Sequence, residues 1–164
     1  MNFSIYSFSF ITLSTLFTSS ALFTSSAIGR PAGADELTDL NIKINNIPFS
    51  ESKGAKGELE IALLANSAQW QLDEPPFKVI RLAPDKETIS HTFSQLPAGR
   101  YALYAFFDAN NNNELDEDWL GLPTEAFTFS GITPSLAQDI NFLDTSFIVS
   151  DKSQSVTLSL IEIK

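Results

Sequence analysis

From Leu40 onward, apolar and polar residues alternate with a period of two. "LNIKINNI" (40–47) sets Leu40, Ile42 and Ile44 on one side of an extended chain, the pattern of a strand with one wet face. "GELEIALLA" (57–65) repeats it with Leu59, Ile61 and Leu63, after a turn written "SKGAKG". In "SAQWQLDEPP", Pro75 and Pro76 have no N–H to give a ladder, so this stretch is a loop or an edge. "FKVIRL" (77–82) reads as a short strand, and "ETISHTFSQL" (87–96) alternates Ile89, His91 and Phe93. "LPAG" places Pro second and Gly fourth in a type I turn. The strand it opens, "RYALYAFF" (100–107), is apolar at successive positions, as in a central strand covered on both faces. A stretch punctuated by Gly and Pro runs from Gly121 to Pro134, followed by "DINFLDTSFIV" and "SVTLSLIEI". No segment sustains a helical period, and only "SLAQDI" has the makings of a single turn.

Seven short strands separated by turn signals predict an all-β fold, an antiparallel β-sandwich of immunoglobulin or transthyretin type. A small closed barrel competes with it, and strand order does not follow from the pattern. Ahead of the strands, Ile5 to Ile28 contains no charged residue and ends in small ones, which reads as an export signal. Cleavage after Ala34, with Ala32 at minus three, is preferred over cleavage after Ala27, with Ser25 there. The expected organisation is a signal peptide over 1–34 and one sandwich domain over 35–164, periplasmic or extracellular. The first ten residues carry no Lys or Arg, so a retained N-terminal membrane anchor is the alternative, since about 20 apolar residues can span a bilayer. The many Ser and Thr residues count against it. There is no cysteine, hence no disulfide and no lipid on a Cys, and stability must come from packing.

Charge sharpens this picture. Removing residues 1–34 takes away one base, leaving 9 basic and 20 acidic residues, a net charge of −11. Nucleic acid and anionic lipid are therefore disfavoured as partners. Between Tyr101 and Asp151 there are nine acidic residues and no Lys or Arg.

Five of those acids fall in "FFDANNNNELDEDW" (106–119). Counted from Asp108, side-chain oxygens recur at positions 1 (Asp108), 3 (Asn110), 5 (Asn112), 9 (Asp116) and 11 (Asp118), with the Glu114 carbonyl at position 7. That is the spacing of a calcium loop, in which a tight turn winds the backbone around a hard cation that takes six to eight oxygens. Position 6 is Asn113 in place of Gly, tolerable because Asn visits the left-handed conformation. Position 12 is Trp119, so the usual bidentate Glu is missing and Asp118 or Glu125 would have to close the shell. The expected ion is Ca2+, weakly bound and structural, with Kd of the order of 10⁻⁴ to 10⁻³ M. The competing reading is a metal-free, solvated acidic turn, since Asn and Asp favour turns through local side-chain bonds.

The stretch from 96 to 131, "LPAGRYALYAFFDANNNNELDEDWLGLPTEAFTFSG", resembles the signature of exported bacterial proteins grouped as domain-of-unknown-function family 2141. Leu96, Pro97, Gly99, Tyr101, Ala102, Asp108, Asn110, Asn112, Leu115, Asp116, Gly121, Pro123, Glu125, Phe129 and Ser130 occupy its motif positions. Phe107 stands where the family usually has His, Asn113 replaces a Gly, and Thr128 replaces the Gly ahead of Phe129. The resemblance implies export, a β-sandwich and cation binding, and no reaction.

Enzymatic readings find little to build on. The single His, His91, sits in a strand between Ile89 and Phe93, where a sheet-face role is expected over a catalytic one. Paired loop carboxylates (Asp116, Asp118 or Glu125) with a divalent ion could serve a carbohydrate-active hydrolase, the alternative from another class. Trp70, Trp119, Tyr101 and Tyr104 are expected to be core more than binding platform; Trp119, directly after the acidic loop, either staples that loop to the core or stands exposed beside it. The expectation is thus an exported, non-enzymatic binding or structural module whose ligand or protein partner is not specified by the chain.

Overall fold

The computed structural model describes residues 37–49, 57–131 and 140–162. The export signal read over 1–34, and all but the last residue of "SLAQDI", lie outside the described residues. Among the described residues, eight strands and two single-turn helices occur in the order β1 (Thr38–Asn45), β2 (Glu58–Leu64), α1 (Ser67–Trp70), β3 (Lys78–Leu82), β4 (Ile89–Leu96), β5 (Gly99–Asp108), β6 (Phe127–Phe129), α2 (Phe142–Thr145), β7 (Phe147–Val149) and β8 (Gln154–Ser159). They form two sheets, as expected for a sandwich and not a closed barrel. The smaller has the order β4-β1-β8, the larger β3-β2-β5-β6, with β7 also pairing with β5.

The period-two pattern sets the packing. Leu40, Ile42 and Ile44 of β1, Leu59, Ile61 and Leu63 of β2, and Leu103, Ala105 and Phe107 of β5 are buried together between the sheets. Each fully buried Leu, Ile or Phe contributes about 1.5–3 kcal/mol relative to an exposed one. The alternate residues of β2 and β5, Ala62, Leu64, Ala102, Tyr104 and Phe106, are buried too, in a second cluster with Leu115, Phe127, Phe129 and Phe142. The larger sheet is thus covered on both faces, and its outer cover is the chain that follows β5.

Four features depart from the sequence-based expectation, the first being that "SAQWQLDEPP", read as a loop or an edge, opens with α1, capped by the Asn66 side chain. The ladders are antiparallel except that β8 runs parallel to β1, with Leu40 opposite Gln154 and Asn45 opposite Ser159. A parallel neighbour leaves no mark on the alternation of one strand, so the pattern could not foretell it. The stretch read as Gly/Pro-rich connection contains β6, paired with β5 through Tyr104↔Phe129 and Phe106↔Phe127. "DINFLDTSFIV" is not one strand: the Asn141 side chain accepts from Leu143 N and Asp144 N, Asp144 accepts from Asn141 N, and this capping box starts α2. Only Phe147–Val149 remains extended.

The "LPAG" turn joins β4 to β5 where expected, and the two strands belong to different sheets. Its crossing is fastened by the Tyr101 hydroxyl, which donates to the Pro97 carbonyl at 3.0 Å. β-Sandwiches use the same device, a Tyr bonded back to backbone a few residues upstream, at their corners. Tyr101→Phe is expected to keep the buried ring and lose this one bond, lowering stability by about 1 kcal/mol in a urea melt with an unchanged slope.

Candidate functional site

The acidic loop begins where β5 leaves the sheet. Asp108 pairs with Glu58 across β2 and is itself buried. Gly57 lies against this point with φ +142°, and a Cβ there would come within 2.5 Å of the Asp108 carbonyl. Only a glycine allows that approach.

Asp108 then holds the turn by its carboxylate. Its Oδ1 accepts from Asn112 N at 3.2 Å and its Oδ2 from Asn113 N at 2.8 Å. Asn110 Oδ1 accepts from Asn112 N, and Asn112 Oδ1 from Glu114 N, each at 2.9 Å. Between these side-chain turns, Asn111 and Asn113 adopt φ of +59° and +65°. The left-handed position that a Gly would fill is therefore taken by Asn113, the substitution Asn tolerates best. The amides of Asn110 and Asn112 both turn toward Asp116, donating to its two carboxylate oxygens at 2.6 and 2.8 Å.

Glu125 closes the ring from the far side. Its Oε1 accepts from Ala109 N at 2.7 Å and its Oε2 from Asp116 N at 3.3 Å, so one carboxylate ties the two ends of the loop. The Asp116 carbonyl accepts from Thr124 N at 2.8 Å, and Glu117 bridges Pro123, making residues 116–124 a short hairpin. Asp118 sits on the next turn, where its Oδ1 accepts from Leu120 N and Leu122 N. The Glu114 side chain is half-buried. Of the residues singled out from sequence, Asp108, Asn110, Asn112, Asp116 and Glu125 thus share one hydrogen-bond network, while Asp118 belongs to the neighbouring turn. Among the described residues, no three His, Cys, Asp or Glu side chains are grouped so that they could hold a metal ion. The loop carries a mixed set of carboxylate and amide oxygens, most of them already accepting N–H bonds.

Sequence reasoning missed a second layer of acids beneath the hairpin. Glu117 alternates with Leu115, and its Oε1 is buried without a hydrogen-bond partner. Glu60, 1% exposed on the outer face of β2, pairs through Oε2 with Arg81 Nε at 2.7 Å, leaving Oε1 unpartnered. Both carboxylates, with that of Glu125, act on the buried Tyr104 hydroxyl, whose pKa burial and these charges push well above its usual value. Burial likewise lifts Glu60, against the pull of Arg81. It lifts Glu117, with help from Asp118. For Glu125 it outweighs the two backbone N–H bonds. The available signal was an acid inside an otherwise apolar strand, "GELEIALL", facing the side that β5 also buries.

Of the four aromatic residues singled out, three are packed and one, Trp119, stands exposed. Tyr101 and Tyr104 are core, and Trp70 stacks at a tilt on Phe129 and donates its Nε1–H to the Ile140 carbonyl at 3.3 Å. Trp119 is 89% exposed. His91 makes an edge contact with Phe93 at 5.2 Å between ring centres, and burial lowers its pKa.

A family model described as "Uncharacterized protein conserved in bacteria (DUF2141)" matches residues 47–157, more than half of the chain. The chain belongs to this family. The match takes in β2 through β7 and most of β8, well beyond the motif stretch from Leu96 to Gly131. No curated protein and no solved structure matches the chain.

Two outcomes follow for the loop. Glu125→Ala leaves the Ala109 and Asp116 N–H groups without their acceptor and is expected to lower stability by about 2–3 kcal/mol, read in a denaturant melt. The three raised carboxyl groups bind protons more tightly folded than unfolded. Stability is therefore expected to rise as pH falls from neutral through their raised values, levelling off once the ordinary carboxylate range is reached. Melting temperature measured between about pH 7 and pH 5 checks this, and Glu117→Gln should flatten the rise.

Proposed function

We propose that the chain is an exported, non-enzymatic β-sandwich module, binding or structural in role, whose 108–118 loop takes a Ca2+ ion weakly. The observation that carries the reading is the convergence of Asn110, Asn112 and Asp116, with Asp108 beginning the same turn. The oxygens of Asn110 and Asn112 each accept one backbone N–H and keep a second lone pair. An ion drawing on them and on the two aspartates would supply the positive charge that the chain from Tyr101 to Asp151 lacks. It would also have to displace the two amide donors that Asp116 already holds, which keeps affinity in the range of about 10⁻⁴ to 10⁻³ M. Export rests on the uncharged stretch from Ile5 to Ile28 and its small-residue end. A role without catalysis is supported by the use of the candidate acids of a hydrolase as hydrogen-bond acceptors, Glu125 and Asp118 for backbone N–H groups and Asp116 for the Asn110 and Asn112 amides.

A second reading, a metal-free braced turn, is favoured by the same bonds: Asp108, Asp116 and Glu125 each have both carboxylate oxygens engaged by protein N–H groups. Calcium titration by calorimetry separates the two. Heat of binding that vanishes in Asp116→Asn, with a melting temperature raised by millimolar Ca2+ and lowered again by chelator, is the expected result. No heat and no shift in melting would leave the braced turn.

A further inference from the structure

The tip of the hairpin carries a feature that neither the loop nor the core uses. Trp119 is 89% exposed and Leu120 beside it 52%. The turn that presents them is closely tied. Gly121 N donates to the Asp118 carbonyl at 2.9 Å, and Asp118 N to the Leu122 carbonyl at 2.8 Å. Asp118 Oδ1 accepts from Leu120 N at 2.8 Å and from Leu122 N at 3.0 Å. Gly121 takes φ +77° to close it. An ordered turn this short is ordinarily made of small polar residues, and here it holds two large apolar side chains in water, forgoing the stabilisation their burial would give. The indole adds little packing to the fold at that position.

The chemistry around the indole defines what would cover it. Glu114, Glu117 and Asp118 precede it within five residues, and no Lys or Arg occurs between Tyr101 and Asp151. Tryptophan is the strongest aromatic partner for a cation lying over its face. Carboxylates on the same turn hold a guanidinium by charge-assisted hydrogen bonds. The same charges repel an anionic membrane surface. We propose that the 117–122 hairpin tip is a docking knob for an arginine- or lysine-bearing segment of another protein, with Trp119 covering the basic side chain and the neighbouring carboxylates pairing with its charge.

The test uses the folded protein and a capped, fluorescently labelled penta-arginine peptide as probe, followed by anisotropy at low salt. Wild type is expected to bind about two- to fivefold more tightly than Trp119→Ala, the span of one exposed cation–π contact, with Trp119→Phe in between. Both variants should melt with wild type, since the side chain adds little packing. Penta-lysine should bind more weakly than penta-arginine and show the same dependence on Trp119. Equal affinity of wild type and Trp119→Ala would reduce the effect to general charge attraction and overturn the proposal. So would absence of binding to both peptides. A blue shift of Trp119 emission with phosphatidylcholine vesicles, without peptide binding, would overturn it in favour of a lipid surface.

Discussion

A strand that is apolar on both faces has to be covered twice, and β5 is such a strand. Its odd-numbered residues from Tyr101 to Phe107 fill the space between the sheets, while Ala102, Tyr104 and Phe106 look the other way and are equally buried. Leaving that second face in water would forfeit about 1.5–3 kcal/mol for each large side chain. The chain after β5 therefore cannot wander. It folds back over the sheet, inserting Leu115, then Phe127 and Phe129 of β6, then Phe142 of α2. Ser130 secures this return: its N–H and hydroxyl bond Leu103, and the hydroxyl also donates to the Thr145 carbonyl at 2.6 Å. Gly131, at φ +79°, passes close to the Asp144 and Thr145 carbonyls, so a side chain there would be strained by its backbone and crowded at 3.0–3.1 Å.

The position of the acidic loop follows from that cover. With both ends fixed, by Asp108 in β5 and by Leu115 in the outer cluster, the intervening residues must turn within a short span, and the carboxylates and amides of the loop supply the acceptors its backbone needs. Here the negative charges are not spread through solvent. They are spent largely as hydrogen-bond acceptors for N–H groups that could not otherwise be satisfied in so tight a turn. This explains how like charges accumulate in the loop without basic neighbours: Asp108, Asp116, Asp118 and Glu125 are stabilised by the N–H dipoles they accept, while desolvation, more than repulsion, raises the pKa values of Glu60, Glu117 and Glu125. The proposed calcium ion and the proposed basic partner draw on different parts of this arrangement, the ion on the first turn and the partner on the hairpin tip.

Much of this was legible from the chain because alternation is a local property. Leu40, Ile42, Ile44, Leu59, Ile61 and Leu63 point inward for the reason their spacing gives, and the double burial of β5 is written in "RYALYAFF". The winding of the loop could be read as well, since Asp and Asn at every second residue satisfy backbone groups two to five positions on, whatever the rest of the fold does. Reading failed where a local contest had two outcomes. "DINFLDTSFIV" has the alternation of a strand, yet Asn141 and Asp144 form a capping box, and the helical turn wins. "FTF" has too few residues to stand out among glycines and prolines, and becomes a strand only because β5 offers it a free edge.

By itself the sequence determined the longer extended segments, which of their side chains go inward and how the 108–113 turn is wound, because each of these rests on contacts within a few residues. The tertiary structure alone decided that β8 lies parallel to β1, that "LPAG" crosses between sheets, and that Glu125 spans the loop from 16 residues beyond Ala109. It also buried Glu60 and one carboxylate oxygen of Glu117 while leaving Trp119 in water. These depend on which surfaces meet, and a one-dimensional pattern records that a face is apolar without recording what will cover it.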